Sequence, residues 1–423
     1  MKEINVRKEK LKSFIGGAVT ALLLVFAALL IYGIILSREE RKFVSRFQGS
    51  GYSDFEVDTE STGALVSEEF INKAEMIYSG VVQEFYFDED IDTGKMHDEM
   101  YKAIINSLGD KYAEYYTAEE YAELMSDSEG TYYGIGSYVQ LDEETGYPML
   151  SGVFEDSPAE RAGLRDGDII TEVFGESLFG CTLNEAVALI KGPENTEVEL
   201  TVYRAGEPEY LHITVIRGKV DSPTVKTDIK EGDIGYLQIT EFDDVTSAQF
   251  NVGYDNLRGK GIKGLVIDLR SNGGGNLSTV LEIAERMLPE GIITYTVDKG
   301  NNREEFKCAG KTPIDIPVVI LTNGYTASAS ELLTGAMHDY GLATVIGTNT
   351  FGKGIVQTIY PFRDGSGIKI TTSRYYTPLG KCIHEVGIAP DIELEFDGEA
   401  YYSEKSFDNQ LDYAVKYLQD KIE

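Results

Sequence analysis

Val319-Ile-Leu-Thr-Asn-Gly-Tyr-Thr-Ala-Ser328-Ala-Ser-Glu331 is the stretch on which the reading of this chain turns. Its apolar opening is short enough for a buried strand, Asn-Gly breaks it, and Ser328-x-x-Glu331 opens a helical pattern over 329–340. Most serines in that pattern only cap helices. The neighbours change its meaning. Leu265-Val-Ile-Asp268-Leu-Arg270-Ser-Asn272-Gly-Gly-Gly275 lies before it and Thr350-Phe-Gly352-Lys353-Gly354-Ile-Val-Gln357 after it. Each follows a strand pattern with a turn of small residues, which let backbone approach a substrate closely. Working outward, strands are expected at 234–240, 262–269, 318–321 and 344–346, with helices at 246–257, 277–288 and 329–340 between them. Such alternation predicts an α/β layer over 219–398, with one more amphipathic helix in the tail, 399–423.

The stock nucleophile patterns are missing. There is no Gly-x-Ser-x-Gly and no His-Glu-x-x-His, and His97, His212, His338 and His384 are scattered. His338 stands ten residues after Ser328, about 15 Å along one helix, too far for a Ser–His hydrogen bond. It reads as a structural or surface histidine. Ser366-Gly-Ile-Lys369 lies in an alternating strand pattern, where residues three apart face opposite sides. Gly347 to Gly354 nearly matches a phosphate-binding loop, but Gly354 stands where the magnesium-binding hydroxyl belongs. No metal site and no cofactor are expected.

Upstream, the character changes. Over 130–218 short strands and turns surround two capped helices. Ser157-Pro158-Ala-Glu160 gives an N-cap, a proline at the first helical position and a glutamate three residues after the cap. Thr182-x-x-Glu185 caps the second helix, whose Leu183, Ala186, Val187 and Ile190 form one apolar face. Gly134-Ile135-Gly136 enters the strand ahead of both. Before this module, 66–129 is helical in pattern, with Phe70, Ala74, Ile77 and Val81 at helical spacing.

The formal net charge is −33, which makes nucleic acid an unfit partner. Its placement is uneven. Lys2, Arg7, Lys8, Lys10 and Lys12 against Glu3 and Glu9 make residues 1–12 a basic stub of +3. An uncharged apolar run, 14–36, follows within segment 13–36. It is long enough to cross a hydrocarbon core of roughly 30 Å. With no Ala-x-Ala after it, this reads as an uncleaved signal anchor, a cleaved signal being the alternative. The positive-inside rule then puts the acidic bulk outside the cytoplasmic membrane, as a single-pass protein. Residues 37–65 read as a linker. Cys181, Cys308 and Cys382 are too few and too far apart for a disulfide scaffold, though one bridge is open to them.

The module at 130–218 resembles a PDZ domain of the bacterial, circularly permuted kind. The resemblance implies that Gly134, Ile135 and Gly136 offer backbone N–H groups to a peptide's terminal carboxylate, with Lys191 at the end of the adjoining helix. The three stretches quoted first closely resemble those of the carboxyl-terminal processing (tail-specific) serine proteases. That resemblance implies Ser328 as nucleophile, Lys353 as general base and Gln357 as the residue that helps hold the lysine. It implies the N–H groups of Gly274 and Ala329 as the oxyanion hole. It implies an endopeptidase acting on proteins with accessible C-termini through an acyl-enzyme, and a homodimer paired through 66–129. A noncatalytic extracytoplasmic peptide-binding protein on the same fold is the alternative. Elementary chemistry agrees with the dyad. A serine hydroxyl needs a base, and a lysine serves if burial lowers its pKa from about 10.4. Two departures stand out: Ser271-Asn272-Gly273-Gly274-Gly275 lacks the proline common in the family, and Lys191 replaces an arginine.

Overall fold

The computed structural model describes residues 67–403 and 407–422. The predicted basic stub, the anchor at 14–36 and the linker to residue 65 lie outside the described residues. Among the described residues, no helix is long and apolar enough to cross a membrane.

Two units are distinguished. The smaller holds the lead-in through Glu99 together with 358–364. Its helix Glu68–Glu84 is capped by Ser67, whose side chain accepts from Phe70 N. No residue of that helix is buried, and Phe70, Ile71, Met76 and Ile77 are exposed. Tyr78 stacks on His97 at 5.5 Å between centroids.

The larger unit holds 100–357 and 365–423. Its centre is a sheet ordered Val225–Lys230, Ile234–Ile239, Gly264–Asp268, Val318–Thr322, Ala343–Gly347, Ile392–Glu393. The first pair is antiparallel and the others are parallel. Every residue of Gly264–Asp268 and Val318–Thr322 is buried, as expected for strands covered on both faces. Helices Thr246–Gly259, Leu277–Met287 and Ala329–Asp339 supply the crossovers. The C-terminal helix Asn409–Ile422 packs Ala414, Val415 and Leu418 on Val266, Val319, Leu321 and Ile346. The expected α/β layer is therefore present, with each strand within two residues of its predicted bounds. A second, antiparallel sheet orders Glu114–Tyr116, Gly367–Tyr376, Gly291–Asp298 and Arg303–Cys308. All three cysteines are free thiols.

The module near 130–218 joins the rest through a two-stranded ribbon, Thr131–Gly134 against Gly218–Asp221. Beyond it, Ser137–Leu141, Pro148–Val153, Ile169–Val173, Glu197–Tyr203 and Leu211–Ile216 form an antiparallel sheet. Leu150, Ile170, Leu178, Ala186, Val198 and Val202 make its own closed core. Both predicted caps form: Ser157 accepts from Glu160 N, and Thr182 with Glu185 completes a capping box.

Candidate active site

Parallel strands place their following loops at one end of a sheet, where open α/β sheets bind ligands. Three adjacent strands here end at Asp268, Thr322 and Gly347. The three stretches singled out in the sequence are the loops that follow them. Hydrogen bonds tie the first two together. Ala327 N and Ser330 Oγ both donate to Asn272 O, at 3.0 and 3.1 Å, and Thr326 Oγ1 donates to Leu269 O at 2.8 Å. Phe351 N donates to Thr326 O at 3.0 Å and joins the third. Behind the first loop, Arg270 donates to Asp268 through Nε and Nη2 and to Asp408 through Nη1 and Nη2, fixing the loop's base to the tail.

Ser328 precedes the helix Ala329–Asp339, but not as an ordinary cap. Its φ of 56° and ψ of −115° leave the extended region that cap residues occupy. A non-glycine residue at positive φ costs on the order of 1–3 kcal/mol and persists only where its surroundings hold it. Here they do. Ser328 N donates to Glu331 Oε2 at 2.9 Å, and Ser328 O accepts from the buried Tyr375 Oη at 2.9 Å and from Leu332 N at 2.9 Å.

Glu331 is wholly buried and is the organiser of the site. Its Oε2 also accepts from Lys353 N at 2.8 Å. Its Oε1 accepts from Gly352 N at 2.7 Å and from Thr350 Oγ1 at 2.5 Å. One carboxylate thus bonds the main chain of Ser328 and the main chain of Lys353. Gly354 packs on the following strand loop so closely that a Cβ would lie 2.5 Å from His384 N. These contacts let Thr350-Phe-Gly-Lys-Gly turn into place beside the serine.

Lys353 sits just before the strand Ile355–Pro361 and is partly buried. Its Nζ lies 4.8 Å from the centroid of the Tyr112 ring. Burial, and then the neighbouring Lys369 ammonium, lower its pKa from the usual lysine range, while Asp110 and Glu331 act the other way. Among the described residues no hydrogen bond joins Lys353 Nζ to Ser328 Oγ. Gln357 points its amide to Thr371 Oγ1 at 3.4 Å rather than to the lysine.

The oxyanion pair is half open. Gly274 abuts the serine: a Cβ there would lie 2.8 Å from Ser328 Cβ and 3.0 Å from Ala329 N. Its φ of 108° admits glycine. Its N–H, however, donates to Asn272 Oδ1 at 2.8 Å. Ala329 N, in the first turn of its helix, donates to no protein acceptor among the described residues. His338 pairs with Asp391 at 3.0 Å, the structural role the sequence suggested.

In the ribboned module, neither Ile135 N nor Gly136 N donates to a protein acceptor among the described residues. Their carbonyls are used instead: Ile135 O accepts from Ala159 N at 2.6 Å and Gly136 O from Phe154 N at 3.0 Å. Ile135 lines a groove of about 520 Å³ together with Tyr138, Val187, Ile190 and Lys191, and Gly136 follows it in the chain. Lys191 Nζ lies over the Tyr132 ring at 5.1 Å. Arg217, buried, donates to Ile190 O at 2.7 Å and Leu189 O at 3.0 Å and so caps the C-terminus of the helix Leu183–Ile190.

Sequence reasoning treated Glu331 only as a cap partner and missed Tyr375 and Arg217. The Ser-x-x-Glu spacing was the one available signal for Glu331. Tyr375 and Arg217 act across 47 and 27 residues, and no local pattern marks them.

Comparison with known proteins agrees with this architecture. Residues 233–394 match peptidase family S41, and residues 150–204 match the PDZ domain. The chain is 34% identical over 326 residues to the carboxy-terminal processing protease CtpA of Bacillus subtilis (strain 168), covering 77% of this chain and 68% of that one. It is 35% identical over 328 residues to a CtpA-like serine protease of Staphylococcus aureus (strain COL), covering 77% and 65%. The match thus spans just under two thirds of the staphylococcal relative's length. A Bacteroides fragilis chain described as an S41 protease shares the fold at a TM-score of 0.50 and 18% identity, over 82% of this chain and 97% of that one. With three loops gathered at one end of its parallel sheet and a PDZ domain on a ribbon, this chain belongs to peptidase family S41, among the carboxyl-terminal processing proteases.

Proposed function

We propose that the protein is a serine endopeptidase that captures the C-terminal tail of a protein substrate in its PDZ groove and cuts the chain with a Ser328–Lys353 dyad. The observation that carries this reading is the Glu331 carboxylate, which holds the main chains of both residues at once. Neutral Lys353 Nζ takes the Ser328 Oγ proton as the oxygen attacks the scissile carbonyl carbon. The oxyanion that forms faces Ala329 N at the positive end of its helix. The lysine ammonium then gives its proton to the leaving amine and the acyl-enzyme remains. Water, deprotonated by the same lysine, attacks the ester and frees Ser328. Gly274 N–H joins the oxyanion hole when it leaves Asn272. Gln357, on the adjoining strand, steadies the lysine once its amide leaves Thr371. No metal ion or cofactor takes part in this scheme.

In this reading residues 14–36 tether the enzyme to the cytoplasmic membrane with its catalytic part outside. The exposed apolar side chains of Glu68–Glu84 pair two copies. The test is digestion of an unfolded, tail-bearing protein by the full chain. Ser328→Ala and Lys353→Ala should each stop cleavage while circular dichroism stays unchanged. Fragments from either folded variant contradict the dyad. Binding of the tail without fragments from the wild type under any condition favours the noncatalytic peptide-binding reading, which the open Ser328–Lys353 geometry motivates.

A further inference from the structure

The PDZ groove is lined by residues outside the PDZ module as well. Asp127, near the end of the helix Ala118–Glu129, and Glu241 and Asp243 of the protease core line it together with Val187 and Ile190. Asp243 is 7% exposed. Its backbone is engaged, since its N–H donates to Thr246 Oγ1 at 3.0 Å and its carbonyl accepts from Thr246 N at 3.0 Å. Its carboxylate is not: among the described residues it has no hydrogen-bond or ion-pair partner. It is also pressed close, because a Cβ on Gly130 would lie 3.0 Å from Asp243 Oδ2. Its oxygens keep contact with the groove, where water or a ligand can donate to them.

The surrounding charges deepen the deficit. Burial, then Glu241, Asp244 and Asp127, push the Asp243 carboxyl up to about 7. Burial and Asp127 raise Glu241 as well. Of these neighbours only Asp244 is bonded, to Asn276. Lys191, the lysine that lines the groove, has its Nζ over the Tyr132 ring. An incoming cation would supply the missing donor and relieve the repulsion together.

We propose that this acidic wall is a specificity subsite of the tail groove, built to take the ammonium or guanidinium of a lysine or arginine near the substrate's C-terminus. This rests on the reading that the groove binds tails. A side-chain cation is favoured over a divalent metal, because no group of three or more His, Cys, Asp or Glu side chains among the described residues could hold a metal ion. A peptide laid as a strand in the groove turns alternate side chains away from the PDZ helix, and such a side chain meets the core wall.

The test uses the full chain carrying Ser328→Ala, so that bound peptide is not cut. Fluorescein-labelled decapeptides with one common apolar C-terminal residue carry lysine, norleucine or glutamate at one of the four positions before it. Affinities are read by anisotropy at pH 8 with EDTA present. At one position lysine should bind about tenfold tighter than norleucine, the scale of one charge-assisted hydrogen bond, and glutamate should bind weakest. The lysine preference should fall below about twofold in Asp243→Asn and shrink in Glu241→Gln. Glu241 is exposed, so the second variant keeps the test alive should the first not fold. Equal affinities at all four positions, or a preference that survives both variants, overturn the proposal. A calcium-induced rise in melting temperature that Asp243→Asn removes also overturns it, in favour of a metal site. If free and amidated C-termini bind alike, it is the tail-binding reading that fails, and the subsite falls with it.

Discussion

Glu331 and Asp243 are both buried carboxylates, and the molecule treats them in opposite ways. Glu331, beside the serine, is wholly buried and accepts from Ser328 N, Lys353 N, Gly352 N and Thr350 Oγ1. Asp243, on the groove wall, is 7% exposed, and its carboxylate has no protein donor among the described residues. Burial alone therefore does not tell a structural acid from a receptive one. A satisfied carboxylate organises backbone; one without a protein donor is left facing the groove, where burial and the neighbouring acids raise its pKa.

The sharpest way to break this contrast is to remove the satisfied member. Glu331→Ala should leave four donors without their acceptor and should cost about 3–5 kcal/mol of stability, as for other broken buried charge networks. Glu331→Gln, nearly isosteric, keeps one oxygen but turns NH2 toward backbone donors. It should fold, yet lower kcat by about a hundredfold or more, with KM nearly unchanged, because it displaces the dyad rather than the groove. A variant with normal kcat would show that Glu331 only caps its helix.

Next comes the lysine. Activity should rise with pH as Lys353 loses its proton, with a midpoint below the usual lysine value, because burial and then Lys369 disfavour the ammonium. Lys369→Met removes that second cation and should move the midpoint of kcat/KM upward. An unmoved midpoint would mean that burial alone tunes the base.

The smallest effect belongs to Asp243. Its folded pKa of about 7 lies above the ordinary 3.8, so the native state holds the extra proton between those values. Stability should accordingly fall as pH rises from about 4 through 7. Asp243→Asn should melt near the wild type at about pH 4 and a few degrees higher at pH 8. Equal shifts at both pH values would show that its carboxylate is already compensated.

The same pair shows what the sequence could and could not carry. The stretches that hold Ser328 and Lys353 stand out in the sequence because they are local motifs: strand, small-residue turn, then helix or strand. The parallel layer was legible from alternating apolar runs such as 262–269 and 318–321. Glu331 was visible only as a capping residue, because its bonds to Thr350 and Lys353 span 19 and 22 residues. Asp243 carried no signal, since its isolation arises where the core meets the PDZ groove. Gln357 was expected on the lysine from four-residue spacing along a strand. Lys353 instead precedes the strand, in a turn set by Gly352 and Gly354, and the amide reaches Thr371. The antiparallel sheet that supplies Tyr375 also escaped, because its strands pair residues as distant as Glu114 and Lys369.

Covalent chemistry at Ser328 is the central expectation for this enzyme. Intact-mass and peptide mass spectrometry of the full chain, acid-quenched during digestion of a tail-bearing protein, reads it directly. The expected result is an adduct equal to a substrate fragment less one water, on the peptide that carries Ser328, and absent in Ser328→Ala and Lys353→Ala. Cleavage that continues with no adduct, or an adduct on another residue, would contradict it.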